Sequence, residues 1–75
     1  MKKRDLIIGA FLSRFPVGKD NITKGDIFKA AKMMDKSISP ATVGWIIYLL
    51  LEKKLGYMIK TGKGKNGENL YKRIK

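Results

Sequence analysis

The sequence predicts an α+β fold in which three helices precede a C-terminal β-hairpin, within a single domain of residues 1–75. Up to about residue 54, apolar residues recur at the three- and four-residue spacing typical of helices packed on a core. After Gly56 the spacing changes to two, which favours strands. Because the chain has no cysteine, its 44% hydrophobic residues must build the core without disulfides.

The first helix is predicted from about Lys3 to Phe15, because Pro16 disfavours helical conformation in the residue before it. Leu6 and Ala10 are expected on its far side, as ordinary surface or as a dimer contact. Four residues share one face and are expected in the core: Ile8, Phe11, Leu12 and Phe15.

The second helix begins after Thr23, which together with Asp26 resembles a capping box. Ile22, just before it, is a candidate for a very short strand. A turn over residues 35–37 leads to Ile38, an apolar residue expected to pack on the helix that follows. Four residues of the second helix are predicted to face inward: Ile27, Ala30, Ala31 and Met34.

The third helix, over residues 40–54, has the clearest signals. Ser39 is a natural N-cap, and Pro40 occupies a first position where its missing N–H costs nothing. Lys53 and Lys54 are expected in the last turn, before a left-handed stop at Gly56. Four residues form a stripe predicted to be buried: Val43, Ile46, Ile47 and Leu50.

The opposite face of the third helix is apolar where a solvated face is usually polar. It carries Ala41, Trp45, Tyr48, Leu49 and Glu52. Either Trp45 and Tyr48 pack under a neighbouring element, or this face docks on a partner, and helical periodicity does not separate the two interpretations.

The hairpin is predicted from strands over residues 57–61 and 70–74, joined by a glycine-rich basic loop over residues 62–69. Gly62, Gly64 and Gly67 also spell G-x-G-x-x-G. A dinucleotide site needs a helix after this motif, whereas a strand follows here. The loop is therefore interpreted as a hairpin turn.

Positive charge dominates the composition. There are 17 lysines and arginines against 6 acidic residues, giving a net charge of +11, and residues 53–75 hold eight basic residues and one acid, Glu68. A small basic domain most often binds a polyanion, which favours nucleic acid. A lysine-rich composition that serves solubility alone is the alternative.

The chain lacks the residues that several other classes of function require. Without histidine or cysteine, the familiar acid–base and nucleophilic pairings are missing, so we expect no enzyme, no catalytic residue, no metal site and no cofactor. The longest apolar run, Val43–Leu51, is far shorter than the ~20 residues that span a bilayer. We expect a cytoplasmic protein with no membrane partner and no small-molecule ligand.

Residues 38–43, which read Ile-Ser-x-x-Thr-Val, are followed by spaced aliphatic residues and by Gly56 ahead of the first strand. This order resembles the winged helix-turn-helix family of DNA-binding domains, and Thr23, Ile27 and Ala31 match the first helix of its helix pair. The size and composition also look like those of transcriptional regulators carried by plasmids and viruses of hyperthermophilic archaea.

The resemblance implies that the third helix enters the major groove and that the hairpin, or wing, of residues 57–74 contacts phosphates or the minor groove. A homodimer is expected, because such proteins commonly bind two half-sites. Thr42 and Ala41 would meet base edges or thymine methyl groups, and Lys63 and Lys65 would meet phosphates. The implied DNA-binding residues are Thr23, Lys24, Lys36, Ser37, Ser39, Ala41, Thr42, Trp45, Lys60, Lys63, Lys65, Asn66, Asn69, Lys72 and Arg73.

The chain departs from the family on the third helix, where Gly44, Trp45, Tyr48 and Leu49 replace the usual polar residues, so base-specific hydrogen bonds would be sparse. This helix would then read methyl groups and shape, form a dimer, or bind another protein. The expected function is a non-enzymatic double-stranded DNA-binding transcriptional regulator. The alternatives are a protein-interaction adaptor that docks through the third helix, or an RNA-binding module. The stacking platforms of the RNA-binding module would be Trp45, Tyr57 and Tyr71.

Overall fold

The computed structural model describes residues 2–75 and places three helices before a two-stranded antiparallel hairpin. The predicted α+β class is confirmed, and the layout is consistent with a winged-helix-like fold. The elements are α1 (Lys3–Arg14), α2 (Lys24–Met34), α3 (Pro40–Leu50), β1 (Met58–Lys63) and β2 (Asn69–Arg73).

The predicted caps fix where α2 and α3 begin. The Thr23 hydroxyl accepts a hydrogen bond from the Asp26 amide, and the Asp26 carboxylate accepts one from the Thr23 amide, both at 3.1 Å. At α3, the Ser39 hydroxyl accepts from the Thr42 amide at 3.2 Å. These bonds satisfy amide groups that the start of a helix leaves without partners, so both helices begin where predicted.

The face that α1 buries differs from the predicted one. Ile7 and Ala10 are fully buried beside Phe11, whereas Ile8 and Leu12 lie partly buried at the edge of the core. The prediction that Ala10 is a surface residue is therefore wrong. The physical reason is that α1 packs against both α2 and α3, so its buried face is the one between its two neighbours.

The buried stripe predicted for α3 is confirmed, since Val43, Ile46, Ile47 and Leu50 are all buried. On α2, the inward residues Ile27, Ala30 and Ala31 are also confirmed. Met34 was predicted to be buried and is 57% exposed, so that prediction is wrong. The helix ends at this residue, and Ile38, after the turn, is the apolar side chain buried near α3.

α3 ends at Leu50, four residues before the predicted end. Leu51 is extended and bridges to Met58, and the amides of Leu55 and Tyr57 donate to the carbonyls of Leu49 and Leu50 at 3.0 Å. These bonds satisfy carbonyls that the helix end leaves free.

Lys53 and Lys54 consequently lie in the turn after α3, and their predicted position in its last turn is wrong. Gly56 adopts the expected left-handed conformation, with φ of 75°.

The hairpin is joined to the helices by the segment before α2. Ile22 and Tyr71 exchange two backbone hydrogen bonds of 2.8 Å, which confirms the very short strand proposed at Ile22. β1 and β2 start and end within two residues of the predicted strands. A bulge at Thr61 interrupts the register of the pair.

Candidate nucleic-acid interface

The exposed face of α3 is apolar and uncovered within residues 2–75. Trp45 is 60% exposed and Tyr48 is 54% exposed, so no neighbouring element of the described chain packs over them. Ala41 is exposed too, whereas Leu49 is half-buried against the core. Lys54, from the turn after α3, lies with its ammonium 5.7 Å from the centroid of the Tyr48 ring. Positive charge therefore borders the apolar face.

Ser39 and Thr42 are hydrogen-bonded to each other at the start of α3. Their hydroxyl oxygens lie 2.9 Å apart, and the Ser39 hydroxyl also accepts from the Thr42 amide. A hydrogen bond from either side chain to a base edge must compete with the cap. Their main structural role is to fix the first turn of α3, next to the exposed Ala41.

In the turn between α2 and α3, a predicted DNA-binding residue, Ser37, is likewise engaged in local hydrogen bonds. The Asp35 carboxylate accepts hydrogen bonds from the Ser37 hydroxyl at 2.7 Å and from the Ser37 amide at 2.9 Å. These bonds lower the pKa of Asp35 below its usual value. Ser37 therefore stabilises the turn, and Lys36 beside it is exposed.

The hairpin carries its predicted basic residues on two different faces. Residues opposite one another in an antiparallel pair share a face, and alternate residues along a strand do too. Lys60 pairs with Tyr71, and Lys63 pairs with Asn69, two residues before Tyr71. These residues share the face that buries Tyr71 against the core. Lys72 lies on the opposite face, apart from Lys60 and Lys63.

The turn of the hairpin holds Lys65 at its tip. The Gly67 amide donates to the Gly64 carbonyl at 3.1 Å, and Gly67 has a φ of 81°, which favours glycine. The Glu68 carboxylate folds back over Gly64 and accepts from the Asn66 amide at 3.1 Å. The single acid of this region therefore stabilises the turn, and Lys65 and Asn66 are exposed.

Arg73 belongs to the fold, although the sequence predicted it to bind DNA. Its guanidinium donates to the carbonyls of Leu12, at 2.9 Å, and Phe15, at the end of α1. It also lies 5.7 Å from the centroid of the Phe11 ring. Because these contacts tie β2 to α1, the guanidinium is not free to contact a phosphate without breaking them.

Two shallow grooves connect α3 with the hairpin. One is lined by Gly44 of α3, by Gly67 and Asn69 of the hairpin, and by Thr23 and Lys24 at the start of α2. The other lies between Tyr48 near the end of α3 and the edge of β1 at Ile59 and Lys60, and Glu52 also lines it. The exposed face of α3 and the basic face of the hairpin are thus neighbours on one side of the protein.

Few acidic side chains offset the positive charge on the side of the protein that carries α3 and the hairpin. Four of the six carboxylates accept backbone hydrogen bonds in caps and turns: those of Asp20, Asp26, Asp35 and Glu68. Within residues 2–75 the one ion pair is between Arg4 and Asp5, at 3.5 Å, on α1. Glu52 lines the groove beside Lys60 but forms no ion pair within residues 2–75. The lysines of the hairpin and of the turn after α3 are therefore without an ion-pair partner in the described chain, which favours binding of an anion.

The described part of the chain holds no group of three or more potential metal ligands. No helix within residues 2–75 is long and apolar enough to cross a membrane.

Comparison with known proteins adds no relative: no family model, no curated protein and no solved structure matches this chain.

Gly44 was absent from the predicted interface, although it lines the groove between α3 and the hairpin. The signal in the sequence was a glycine within an otherwise apolar helix, which lowers helix stability unless the position has a packing or functional reason. That signal identifies a special position without identifying its neighbour.

Proposed function

We propose that this protein is a non-enzymatic double-stranded DNA-binding protein that acts in the cytoplasm as a transcriptional regulator of the winged helix-turn-helix type. α3 would lie in the major groove, and the basic face of the hairpin would lie along the phosphate backbone or in the minor groove. A homodimer would place two copies of α3 in successive major grooves.

One observation carries this proposal. The exposed face of α3 adjoins the hairpin face that holds Lys60 and Lys63, with Lys65 at the nearby turn and no acid paired with them among residues 2–75. A protruding helix beside a cationic ribbon matches the shape and charge of duplex DNA.

Recognition of sequence would depend mainly on apolar contacts and on DNA shape. Ala41, Trp45 and Tyr48 supply few hydrogen-bond donors to base edges, whereas apolar side chains can contact the methyl group of thymine. We therefore expect a preference for A·T-rich sites, with modest discrimination among them.

The proposal is tested by measuring duplex affinity as a function of salt. If about six to eight phosphates are neutralised, the slope of log affinity against log salt concentration is roughly −5 to −7. Single-stranded RNA of equal length serves as the competitor. A slope near zero, or a preference for the RNA, would contradict the proposal.

The aromatic residues do not form the stacking platform that the RNA-binding alternative requires. Tyr71 is only 7% exposed, and Tyr57 is half-buried in a cleft with Arg4 and Ile8, whereas Trp45 is exposed on α3. These three aromatic side chains do not line one open surface, as stacking of successive bases requires.

The adaptor alternative is favoured by a single observation, the exposure of Trp45 and Tyr48, since aromatic residues are frequent anchors of protein interfaces. The two functions differ in a measurable way: the Trp45 indole contacts duplex DNA in the regulator and does not contact it in the adaptor.

A further inference from the structure

Lys24 lies across the middle of α3 at the one position of that helix without a side chain. A Cβ atom placed on Gly44 would be 3.2 Å from the Lys24 ammonium nitrogen and 3.4 Å from its Cε atom. The first distance is shorter than ordinary van der Waals contact and the second is at its lower limit, so an alanine at position 44 would move the flexible end of the Lys24 side chain by only a few tenths of an ångström. A longer side chain such as leucine would take the space that Lys24 occupies and displace it further. Glycine inside a helix is less favourable than alanine, so this position has a cost to helix stability.

The place that Lys24 reaches belongs to the proposed interface. On α3, Gly44 is three residues after Ala41 and four before Tyr48, which makes it a neighbour of both on the helix surface. Gly44 and Lys24 also line the groove shared with Gly67 of the hairpin. The Lys24 ammonium therefore lies between α3 and the hairpin turn.

No acid neutralises this charge. Lys24 has no ion-pair partner among residues 2–75, and Glu68, which lines the same groove, is bonded to the Asn66 amide. A cation in this position, between a helix that would lie in the major groove and a ribbon that would follow the backbone, is suited to a phosphate at the edge of that groove.

We propose that Gly44 is a positioning residue: its missing side chain admits Lys24 to the surface of α3, where the ammonium contacts one backbone phosphate of bound DNA. This inference rests on the proposed DNA-binding function and assigns to Gly44 a role in affinity, without a role in sequence preference.

The test compares four variants in duplex binding over a range of salt concentrations: Lys24→Ala, Gly44→Leu, the double variant, and Gly9→Leu. Gly9 is the matched control because it lies within α1 and a Cβ placed there meets nothing within 4 Å. Both glycine variants should raise the Tm, because leucine favours helix over glycine.

Loss of one phosphate contact lowers the slope magnitude by about 0.9 and weakens binding about fivefold near 0.15 M salt. We expect this change in Lys24→Ala and in Gly44→Leu, with no further loss in the double variant and no change in Gly9→Leu. Relative affinities for different duplex sequences should stay the same in all four.

Two results would overturn the inference while leaving the proposed function intact. One is a Gly44→Leu variant that binds as wild type does while Lys24→Ala is weakened. The other is an unchanged salt slope in Lys24→Ala. If wild type itself shows no salt-dependent duplex binding, the proposed function fails instead.

A measurement on the unsubstituted protein tests the contact without relying on any variant. Lys24 ε-protons should show nuclear Overhauser contacts to the Gly44 α-protons. Their absence in a well-resolved spectrum would also overturn the inference.

Discussion

At the scale of single residues, four of the six acidic side chains bond to backbone amides and form no ion pair with a lysine in the described chain. Asp26 caps α2, Asp35 holds the turn before α3, and Glu68 holds the hairpin turn, each by accepting a backbone amide. Carboxylates placed in this way stabilise helix starts and turns locally. The fold thus uses its few acids for local structure and leaves lysines exposed on the surface.

Caps are the residues that could be predicted best, because their hydrogen bonds reach only two or three positions along the chain. Thr23, Asp26 and Ser39 all have the partners expected of them. Arg73 could not be predicted in the same way, since it bonds to Leu12, 61 residues away. The sequence alone does not distinguish an arginine that binds main-chain carbonyls from one that binds phosphate.

Replacing Arg73 by methionine should destabilise the fold, because the carbonyls of Leu12 and Phe15 lose a charged donor while the apolar contact with Phe11 is kept. We expect a decrease of about 2 kcal/mol in the free energy of unfolding, measured by urea denaturation. Lys72→Met, one residue away on the opposite face of the hairpin, is the control and should change it by no more than about 0.5 kcal/mol. Equal effects in the two variants would contradict the role assigned to Arg73.

At the scale of elements, the three helices and the hairpin follow from periodicity, caps and turn residues, whereas two of their details do not. α3 ends at Leu50 because the extended Leu51 bridges to Met58. Helix propensity depends on local sequence and does not take such a contact into account. α1 buries Ala10 because two other helices pack on it. In both cases tertiary packing overrides the local pattern.

The faces of the hairpin are a third such detail. Lys60 and Lys63 are three residues apart on β1, so strict alternation would place them on opposite faces. The bulge at Thr61 inserts one residue and brings both onto the face that carries Tyr71. The sequence could identify a basic hairpin without revealing which lysines act together.

Lys63→Ala should therefore weaken duplex binding, by about fivefold near 0.15 M salt for one lost phosphate contact, whereas Lys72→Ala should bind nearly as wild type does. The two variants have the same net charge, so any difference reports position. Fluorescence anisotropy with a labelled duplex measures both. Equal losses would mean that the hairpin contributes only diffuse charge.

At the scale of the whole molecule, the proposed function depends on where α3 and the hairpin lie relative to each other. The paired backbones of Ile22 and Tyr71 fix the hairpin beside the start of α2, and α2 packs on α3. The grooves at Gly44 and at Tyr48 are the result of this arrangement. Within the described chain, the exposed apolar face of α3 thus borders the unpaired lysines of the hairpin.

Part of this arrangement could be expected from the sequence through its resemblance to winged helix-turn-helix domains, which supplies the order of elements. The resemblance did not indicate that Lys24 crosses Gly44, nor that Lys72 and Lys63 are on different faces. Those features depend on side-chain packing and on strand register, which short motifs do not determine.

The central claim is that α3 and the Lys60–Lys65 part of the hairpin form a single DNA-binding surface. Titration of isotope-labelled protein with a duplex, followed by amide and indole NMR shifts, tests it most directly. We predict that the largest shifts fall on residues 41–48, including the Trp45 indole, and on residues 60–65. Shifts confined to the hairpin, with the Trp45 indole signal unchanged, would contradict the claim. Shifts centred on the exposed residues of α2 would contradict it too.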